Sequence, residues 1–307
     1  MSNPADTFEP YRRRLLGLAY RMLGSMADAE DAVQEAYLRW HRVDRDQVSD
    51  PRAFLMTTTT RLCLDMLTSA RARRAEYVGT WLPEPVVDTA ALAPDTRTEL
   101  AEDLSIALLL TLDRLSPLER AAFLLHDVFD FAFSEVASAL ERSEAACRQL
   151  AARARAHVRA VRPRGATAPA DGIDAKHTQL MAAFAAAVQS GDLDALTQLL
   201  ASDARIVTDG GGKVRAALNV IEGAGQAARF LVEVTRKREG AWWRDDFRPR
   251  FARINGLPGI IVDAPEGPVQ TAAFEIDGGV VRALYVVRNP DKLRHLVAMP
   301  RPAHGPT

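Results

Sequence analysis

The first half of the chain repeats apolar residues at the three- and four-residue spacing of amphipathic helices. Phe8–Leu23 carries such a stripe and ends at Gly24, a residue that commonly ends helices. Ser25 precedes a second periodic stretch that reaches about His41, with Asp28 in the third position after it, as in a capping box. Proline suits a first helical turn, so Pro51 marks the start of a third helix. These patterns predict a helical N-terminal domain.

The helical pattern breaks between about Glu76 and Asp103. Trp81-Leu82-Pro83-Glu84-Pro85 is incompatible with a helix, and Pro94 interrupts the pattern again. Acidic residues accumulate in the same stretch, which predicts a semi-extended linker. A tryptophan within a linker indicates that part of it docks on another surface.

A second helical domain follows the linker. Leu104–Leu115 predicts one helix, and Ser116-Pro117 provides the cap and the first-turn proline of the next. Ser134–Leu140, a three-residue turn and Ser143–Arg159 then have the order of a helix-turn-helix, whose second helix enters a DNA major groove. Glu141 stands where such turns usually carry glycine, at a cost of roughly 1 kcal/mol if the left-handed conformation is kept.

The helix Ser143–Arg159 has one apolar stripe and one face of small residues between basic or amide side chains. Between Glu141 and Arg164 the chain has seven arginines and two glutamates. An Ala/Arg surface helix explains this composition equally well when the helix is taken alone. The residues with the chemistry to contact DNA phosphates or base edges are Ser143, Arg148, Gln149, Arg153 and Arg155.

The C-terminal third mixes helices with strands. After a Pro/Gly-containing linker at 163–172, Ile173–Ser190 predicts a helix, and a second long helix spans about Gly223 to Lys237. Four strand-like runs come last: Trp242–Ile254, Leu257–Asp263, Gly267–Ile276 and Val280–Arg288. This order predicts an α+β domain with a curved antiparallel sheet.

Composition leaves the choice of partner to local surfaces. The 307 residues carry a net charge of −1, so the whole-chain charge favours no particular partner. Cys63 and Cys147 both fall on apolar helix faces, which argues against a disulfide framework and favours the cytoplasm. No apolar run approaches the length of a membrane span, and the N-terminus lacks the apolar core of a signal peptide.

Two polar surfaces of the N-terminal helices are candidate contact sites. The second helix presents a compact acidic and amide face, which is either solvated or a docking surface for a basic protein partner: Glu30, Asp31, Gln34 and Glu35. The third helix contains four consecutive threonines, poor helix formers that indicate hydroxyls at a surface, and arginines that suit sugar–phosphate contact or simply complement the helix dipole. The candidates there are Thr58, Arg61, Arg71, Arg73 and Arg74.

Taken together, residues 5–162 resemble bacterial sigma factors of the extracytoplasmic-function type. Ala29–Trp40 resembles the segment that binds core RNA polymerase, and Pro51–Arg74 resembles the segment that melts and reads the −10 element. Leu115–Arg120 with Phe133–Val158 resembles the segment that reads the −35 element. The resemblance therefore implies core polymerase and promoter DNA as partners. It assigns the two candidate surfaces and the helix Ser143–Arg159 to these three contacts.

Three further motifs resemble those of sigma factors with a fused SnoaL-like domain. They implicate these residues in interdomain regulation: Trp81, Pro83, Pro85, Asp209, Gly210, Gly211, Gly212, Lys213, Asn289, Pro290, Asp291, Lys292 and Leu293. The implied domains are 1–75, the linker 76–103, 104–162, a second linker 163–172, a SnoaL-like cone at 173–293, and a tail at 294–307.

Three alternatives to pure regulation concern the C-terminal domain. Related cones host enzymes that use a carboxylate base, for which Asp209, Asp263, Asp277 and Tyr285 are candidates. The three-glycine loop has two interpretations: it either binds an anion or forms a strand-end turn that needs positive φ. A ligand-sensing helix-turn-helix regulator without sigma function is the rival class. Fusion to DNA-binding helices favours a regulator over an enzyme. We expect no cofactor and no metal, and the sequence leaves open whether the C-terminal domain binds a small ligand.

Overall fold

A computed structural model describes residues 4–87, 104–161, 175–237 and 248–298. The chain divides into two compact units. The first comprises residues 1–76 and 88–167, and the second comprises residues 77–87 and 168–307. The segment 77–87, the first part of the sequence-predicted linker, therefore belongs to the same unit as the C-terminal domain. We call Tyr77–Val87 the linker segment.

The first unit is helical, as the periodicity predicts. Its helices are α1 Pro4–Leu23, α2 Met26–Arg42, α3 Pro51–Ala75, α4 Ile106–Arg114, α5 Pro117–Phe123, α6 Phe133–Leu140 and α7 Glu144–Val161, with a π-helical turn at Leu124–Val128 after α5.

Polar caps fix several of these helix starts. The Ser25 hydroxyl accepts a hydrogen bond from the amide of Asp28 at 3.1 Å, which confirms the predicted cap of α2. Ser116 and Glu119 form a reciprocal capping box at the start of α5. The Ser143 hydroxyl accepts from the amide of Ala146 at 3.2 Å at the start of α7. These local bonds set where the helix-turn-helix elements begin.

The turn between α6 and α7 keeps the left-handed conformation. Glu141 ends α6 with φ 54° and ψ 48°, in place of the glycine usual in such turns. The predicted strain of roughly 1 kcal/mol therefore applies. The buried stripe of α7 holds Cys147, Ala151 and Ala154, each fully buried. The motif is thus retained without its glycine.

The N-terminal helices contact the segments that precede the helix-turn-helix within the first unit. Arg14 and Arg52 both donate to the backbone carbonyl of Phe129, at 2.6 and 2.9 Å. The buried Arg120 donates to the carbonyl of Met22 and, at 3.2 Å, to Asp113. Guanidinium groups that satisfy backbone carbonyls thus join elements that are distant in sequence.

The second unit is an α+β domain with one six-stranded sheet among the described residues. Its elements are α8 Ala175–Ser190, α9 Leu193–Leu199, β1 Leu200–Asp209, β2 Ile221–Glu222, α10 Ala224–Arg236, β3 Arg248–Ile254, β4 Leu257–Ala264, β5 Gly267–Asp277, β6 Val280–Val287 and α11 Pro290–Leu293.

The sheet order is β2-β1-β6-β5-β4-β3. The successive strands β3 to β6 form the expected antiparallel meander, but β1 pairs in parallel with β6, so the sheet is mixed. This pairing places Asp209 beside Val287, which lies two residues before the Asn289–Leu293 motif. Two motifs that are far apart in sequence therefore meet at one end of the sheet.

Burial corrects one interpretation of the α3 threonines. Thr59 and Thr60 are fully buried, and the Thr60 hydroxyl donates to the carbonyl of Met56 at 2.8 Å. Their hydroxyls and methyls therefore serve packing, not a surface. Residues 242–247 of the predicted strand Trp242–Ile254 lie outside the described residues. None of the described helices is long and apolar enough to cross a membrane.

Candidate functional site

The exposed face of α7 carries the side chains expected to contact DNA. Gln149 is exposed, and the described residues supply no hydrogen-bond partner to its amide. Arg148 is also exposed and pairs with Glu144 at 2.6 Å, while its guanidinium lies 5.3 Å from the Phe133 ring centre. An i,i+4 ion pair on an exposed helix is weak, so a phosphate can compete for Arg148.

Two further arginines of α7 are held by carboxylates from the preceding helices. Arg153 donates to Glu119 at 2.7 Å from an exposed position. Arg155 is only 32% exposed and pairs with the partly buried Asp127 at 3.2 Å. Burial raises the pKa of the Asp127 carboxyl, and Arg155 opposes that change. The structure thus places Arg155 at the seam that joins α7 to the π-helical turn, away from the exposed face.

The pKa of Glu119 gives the first unit a pH-dependent stability. The hydrogen bond from Arg153, followed by that from Ser116, lowers the pKa of Glu119 from 4.5 to about 2. A depressed folded-state pKa contributes stability above the unfolded value, and that stability disappears as pH falls through the folded value. We expect Glu119→Gln to be destabilising by about 1–2 kcal/mol at pH 6, allowing for the exposure of Arg153, and by much less at pH 2.

Chemical unfolding of the wild type and Glu119→Gln at pH 6, 4 and 2 measures this difference. Glutamine keeps one side-chain oxygen as the acceptor for the Ser116 amide, so the capping bond stays while the charge and the acceptor for Arg153 are removed. The same pH series on Arg153→Ala provides the control, because the loss of the main cause should shrink the pH dependence. A difference between wild type and Glu119→Gln that is constant over the series would contradict the assignment.

The candidate −10 residues of α3 are only partly described. Thr58 is half-buried, and the side chains of Arg71, Arg73 and Arg74 lie outside the described residues. Arg61 points at the C-terminal end of α6. Its Nε donates to the carbonyl of Ala139 at 3.0 Å and its Nη2 to that of Ser138 at 3.1 Å. The same guanidinium pairs with Glu141 at 3.1 Å.

The acidic face of α2 is open to solvent. Glu30, Asp31 and Gln34 are exposed, and Glu35 pairs with Arg39 at 3.0 Å within the helix. The opposite side of α2 is buried around Trp40, whose indole donates to Thr7 at 3.3 Å. The burial pattern therefore divides α2 as the sequence predicts, with the acidic face outward.

The linker segment and the two C-terminal motifs, Asp209–Lys213 and Asn289–Leu293, meet around one buried carboxylate. Asp209 is fully buried at the end of β1. Its Oδ1 accepts from the Tyr77 hydroxyl at 2.5 Å, and its Oδ2 accepts from the amide of Leu82 at 2.8 Å and from Lys292 Nζ at 2.7 Å. Three donors from distant parts of the chain thus converge on this carboxylate. We call this contact region the linker site.

Lys292 and Asn289 complete the linker site from the other side. Lys292 Nζ also donates to the carbonyl of Leu82 at 2.5 Å and lies 4.4 Å from the Trp81 ring centre. The Asn289 amide donates to the Tyr77 hydroxyl at 2.9 Å. Burial, and then the bond to Asp209, raises the pKa of Tyr77, which keeps its hydroxyl protonated as a donor.

The glycine loop has a steric reason for its composition. Gly211 and Gly212 have φ of 59° and 69°, which favours glycine. A Cβ on Gly211 would overlap the Asn289 amide, and one on Gly212 would approach Val78 at 3.1 Å. The turn interpretation is therefore confirmed, and the linker segment lies against the glycines. Lys213, next in the loop, forms an ion pair with Asp291.

The far end of the linker segment binds the β3–β4 turn and a short 3₁₀ turn at Arg294–Ala298. The backbone amide of Asn255 donates to the carbonyl of Val86 at 2.7 Å, and the backbone amide of Val86 donates to Asn255 Oδ1 at 3.1 Å. His295 Nε2 lies 2.7 Å from the carbonyl of Pro85. Pro83 and Pro85 are buried, as are Leu82 and Glu84. The linker segment is thus bound along its length.

Sequence reasoning missed Tyr77, Asn255 and His295. Asn255-Gly256 is a strong hairpin signal, and Asn255 indeed has φ 50°. That signal predicts the turn but not its contact with the linker segment. Tyr77 directly follows α3 and could have been suspected only as an aromatic residue in a polar linker. His295 carries no local signal.

The four candidate catalytic residues, three aspartates and one tyrosine, each pair with a different group. Asp209 belongs to the linker site. Asp263 pairs with Arg250 at 2.6 Å, and Asp277 pairs with Arg282 at 3.1 Å. The Tyr285 hydroxyl donates to Glu275 at 2.9 Å, and burial raises its pKa. Each candidate therefore has a structural partner of its own.

Comparison with known proteins accounts for both units. Residues 7–73 match the family model of Sigma-70 region 2, and residues 105–158 match Sigma-70, region 4. The chain is 40% identical to the ECF RNA polymerase sigma factor SigJ of Mycobacterium tuberculosis H37Rv, over 93% of this chain and 91% of that protein. The chain belongs to the extracytoplasmic-function family of RNA polymerase sigma factors.

Two further likenesses extend over most of the chain. The probable ECF RNA polymerase sigma factor SigI of M. tuberculosis H37Rv is 35% identical over 94% of each chain. The crystal structure of M. tuberculosis SigJ superposes with a TM-score of 0.69 and 36% identity, covering 94% of this chain and 98% of that one. This sigma factor therefore directs promoter-specific transcription with core RNA polymerase.

Proposed function

We propose that three surfaces of this sigma factor carry its contacts. The acidic face of α2 binds core polymerase, α3 binds the −10 element with Thr58 and its arginines, and α7 reads the −35 element. The exposure of the acidic face and of Gln149 supports this division. The chain acts in the cytoplasm by binding alone, and its C-terminal domain has no catalytic role. The separate pairing of Asp209, Asp263, Asp277 and Tyr285 supports that last point.

Regulation acts through the linker segment. That segment begins directly after α3 and leads toward α4, so it belongs to the connection between the −10 and −35 domains. The observation that carries the proposal is the buried convergence of Tyr77, Leu82 and Lys292 on Asp209. A bound linker segment restricts the reach between the two DNA-reading domains, and a released one extends it. The C-terminal domain thereby sets how readily both domains engage a promoter.

Transcription with purified core polymerase tests this proposal. The template is a promoter fragment selected from genomic DNA by the wild-type protein with core polymerase. Asn289→Ala removes a donor to Tyr77 but no buried charge, and we expect it to change the initiation rate by about threefold or more. Gln179→Ala, an exposed amide on α8, is the matched control. An unchanged rate despite faster proteolysis of the linker segment would contradict regulation by this contact. Absence of any promoter-specific initiation by the wild type would contradict sigma activity itself.

The contact of Arg61 with α6 competes with its role at the −10 element. Arg61 cannot bind a phosphate with the same N–H groups while they donate to Ala139 and Ser138. We expect Arg61→Ala to increase amide exchange at the C-terminal end of α6 by about tenfold, because two charge-assisted hydrogen bonds contribute about 1–2 kcal/mol there.

Hydrogen exchange on a peptide that spans α6 measures this effect. Arg39→Ala is the matched control, because the contact described for the Arg39 side chain is its ion pair with Glu35 within α2. Equal exchange in Arg61→Ala and Arg39→Ala would mean that Arg61 does not hold α6.

A further inference from the structure

The C-terminal domain contains an apolar cavity of about 320 Å³. It lies between α8, α10 and one face of the sheet, and its walls include Phe184, Val188, Ile206, Phe230, Phe274 and Leu284. This volume falls within the range of small-molecule sites, whose walls are mostly apolar with a few polar groups. The linker site uses the ends of the same strands and not this cavity.

One buried amide faces this apolar space. Gln270 lines the cavity and is only 2% exposed. The described residues supply no hydrogen-bond partner to its side chain. An amide on the cavity wall without a protein partner leaves its donor and acceptor available, so a polar group of a ligand would stabilise it. An amide both donates and accepts, which suits a carboxyl or hydroxyl oxygen.

The charge around the cavity favours an anion. Among the described residues that line it, the charged ones are Arg215 and Arg288, and none is acidic. Both belong to the side of the cavity near the linker site. An apolar body fits the walls, and a negative group fits the two guanidinium groups.

The walls of the cavity continue directly into the linker site. Thr208 lines the cavity and Asp209, the next residue, binds the linker segment. Arg288 lines the cavity and Asn289, the next residue, binds Tyr77. Two strand ends therefore present one residue to the cavity and the following residue to the linker segment.

The loop after the glycines makes a second connection. Ala217 lines the cavity, and its carbonyl accepts from the Thr208 hydroxyl at 3.1 Å. Arg288 donates to the carbonyl of Arg215 in the same loop at 2.5 Å. Leu218, the residue after Ala217, accepts at its carbonyl from the hydroxyl of Thr80, a residue of the linker segment, at 3.4 Å. A ligand that displaces this loop therefore moves a contact of the linker segment.

We propose that this cavity binds an apolar organic acid, with its acid group toward Arg215 and Arg288 and an oxygen on Gln270, and that its occupancy changes how firmly the linker segment is held. The second part rests on the proposed regulatory role of the linker site. The linker segment is either held by the loop or released from it. The ligand shifts this equilibrium because it binds the two arrangements with different affinities.

Two fluorescent probes of almost the same apolar shape test the binding site. One is 8-anilinonaphthalene-1-sulfonate, which carries an anionic group, and the other is N-phenyl-1-naphthylamine, which lacks it. We expect the full-length protein to bind the sulfonate about tenfold more tightly. Ala185→Phe fills the cavity from α8 and should weaken sulfonate binding at least tenfold, whereas Ala186→Phe, on the exposed side of the same helix, should change it less than about twofold.

Gln270→Leu tests the same site with a variant that should fold even if Ala185→Phe does not. Leucine has a similar volume and removes a buried amide, so this variant should be at least as stable as the wild type. We expect it to weaken sulfonate binding about threefold or more with an unchanged thermal transition. Equal sulfonate binding by wild type, Ala185→Phe and Gln270→Leu would overturn the assignment of the cavity as the site.

Hydrogen exchange of the linker segment tests the coupling. We expect saturating sulfonate to change exchange in peptides covering residues 77–87 by about threefold or more in the wild type and Ala186→Phe, and to leave Ala185→Phe unchanged. Binding in the cavity without this change would overturn the coupling. Neither measurement uses transcription, so failure of the proposed regulatory function would appear separately in the transcription assay.

Discussion

Asp209→Ala should lower the unfolding free energy of the C-terminal unit by about 3–5 kcal/mol, because it leaves the ammonium of Lys292 buried without its carboxylate. Asp209 is fully buried, and the Lys292 side chain is only 8% exposed. The substitution also removes the acceptor for the Tyr77 hydroxyl and the Leu82 amide. The linker segment should consequently become accessible to proteases under native conditions.

A matched substitution on the same strand separates burial from charge. Asp203 also lies in β1 and pairs with Arg282 at 3.2 Å, but its side chain is 67% exposed. Asp203→Ala should therefore change stability by about 0–1 kcal/mol. Denaturation followed by hydrogen exchange in β1 and β6 peptides reports on this unit separately from the first, whose unfolding is a different transition.

A double variant tests whether the cost of Asp209→Ala comes from the orphaned charge. Asp209→Asn combined with Lys292→Met removes both charges, keeps one carbonyl oxygen as an acceptor for the Leu82 amide, and keeps an unbranched side chain against Trp81. We expect it to recover at least about half of the stability lost in Asp209→Ala, as replacement of buried ion pairs by neutral groups often does. Equal losses in Asp209→Ala and Asp203→Ala would show that the buried pair contributes no more than an exposed one.

Local chemistry explains which features the sequence alone predicts. Ser25, Ser116 and Ser143 bond to backbone amides within three residues, so each helix start follows from a short stretch of sequence. The positive φ of Gly211 and Gly212 is likewise a local property of a turn. The linker motif and the two C-terminal motifs were grouped by family resemblance, and the structure brings them together around Asp209.

Long-range packing explains what the sequence does not predict. The parallel pairing of β1 with β6 joins strands separated by some seventy residues, and no local pattern encodes it. Burial of Thr59 and Thr60 depends on which helices pack on α3. The engagement of Arg61 by α6 and of Arg155 by Asp127 likewise needs two separate elements to be in place. A count of basic residues on a helix cannot distinguish arginines that face DNA from arginines that hold helices together.

Substitutions on the exposed face of α7 should reduce −35 binding while core-polymerase binding stays intact. Gln149→Ala should weaken binding to the selected promoter by about 1–3 kcal/mol and relax the preference at one base pair, because a bidentate amide–adenine contact reads a base edge. Arg148→Ala should weaken binding to all sequences and lower the salt dependence by about one phosphate contact. Arg155→Ala should mainly destabilise the first unit, because its partner Asp127 is partly buried.

Arg153→Ala distinguishes the two roles within one residue. It should lose a phosphate contact, as Arg148→Ala does, and it should also remove the stabilisation of the Glu119 carboxylate. Promoter binding measured over a salt series, with polymerase binding and thermal unfolding on the same preparations, separates these effects. Gln179→Ala is the control for amide removal from an exposed helix. Equal loss of promoter and polymerase binding would indicate misfolding, and unchanged promoter binding in both Arg148→Ala and Gln149→Ala would contradict −35 recognition by this face, since these two side chains lie on it side by side.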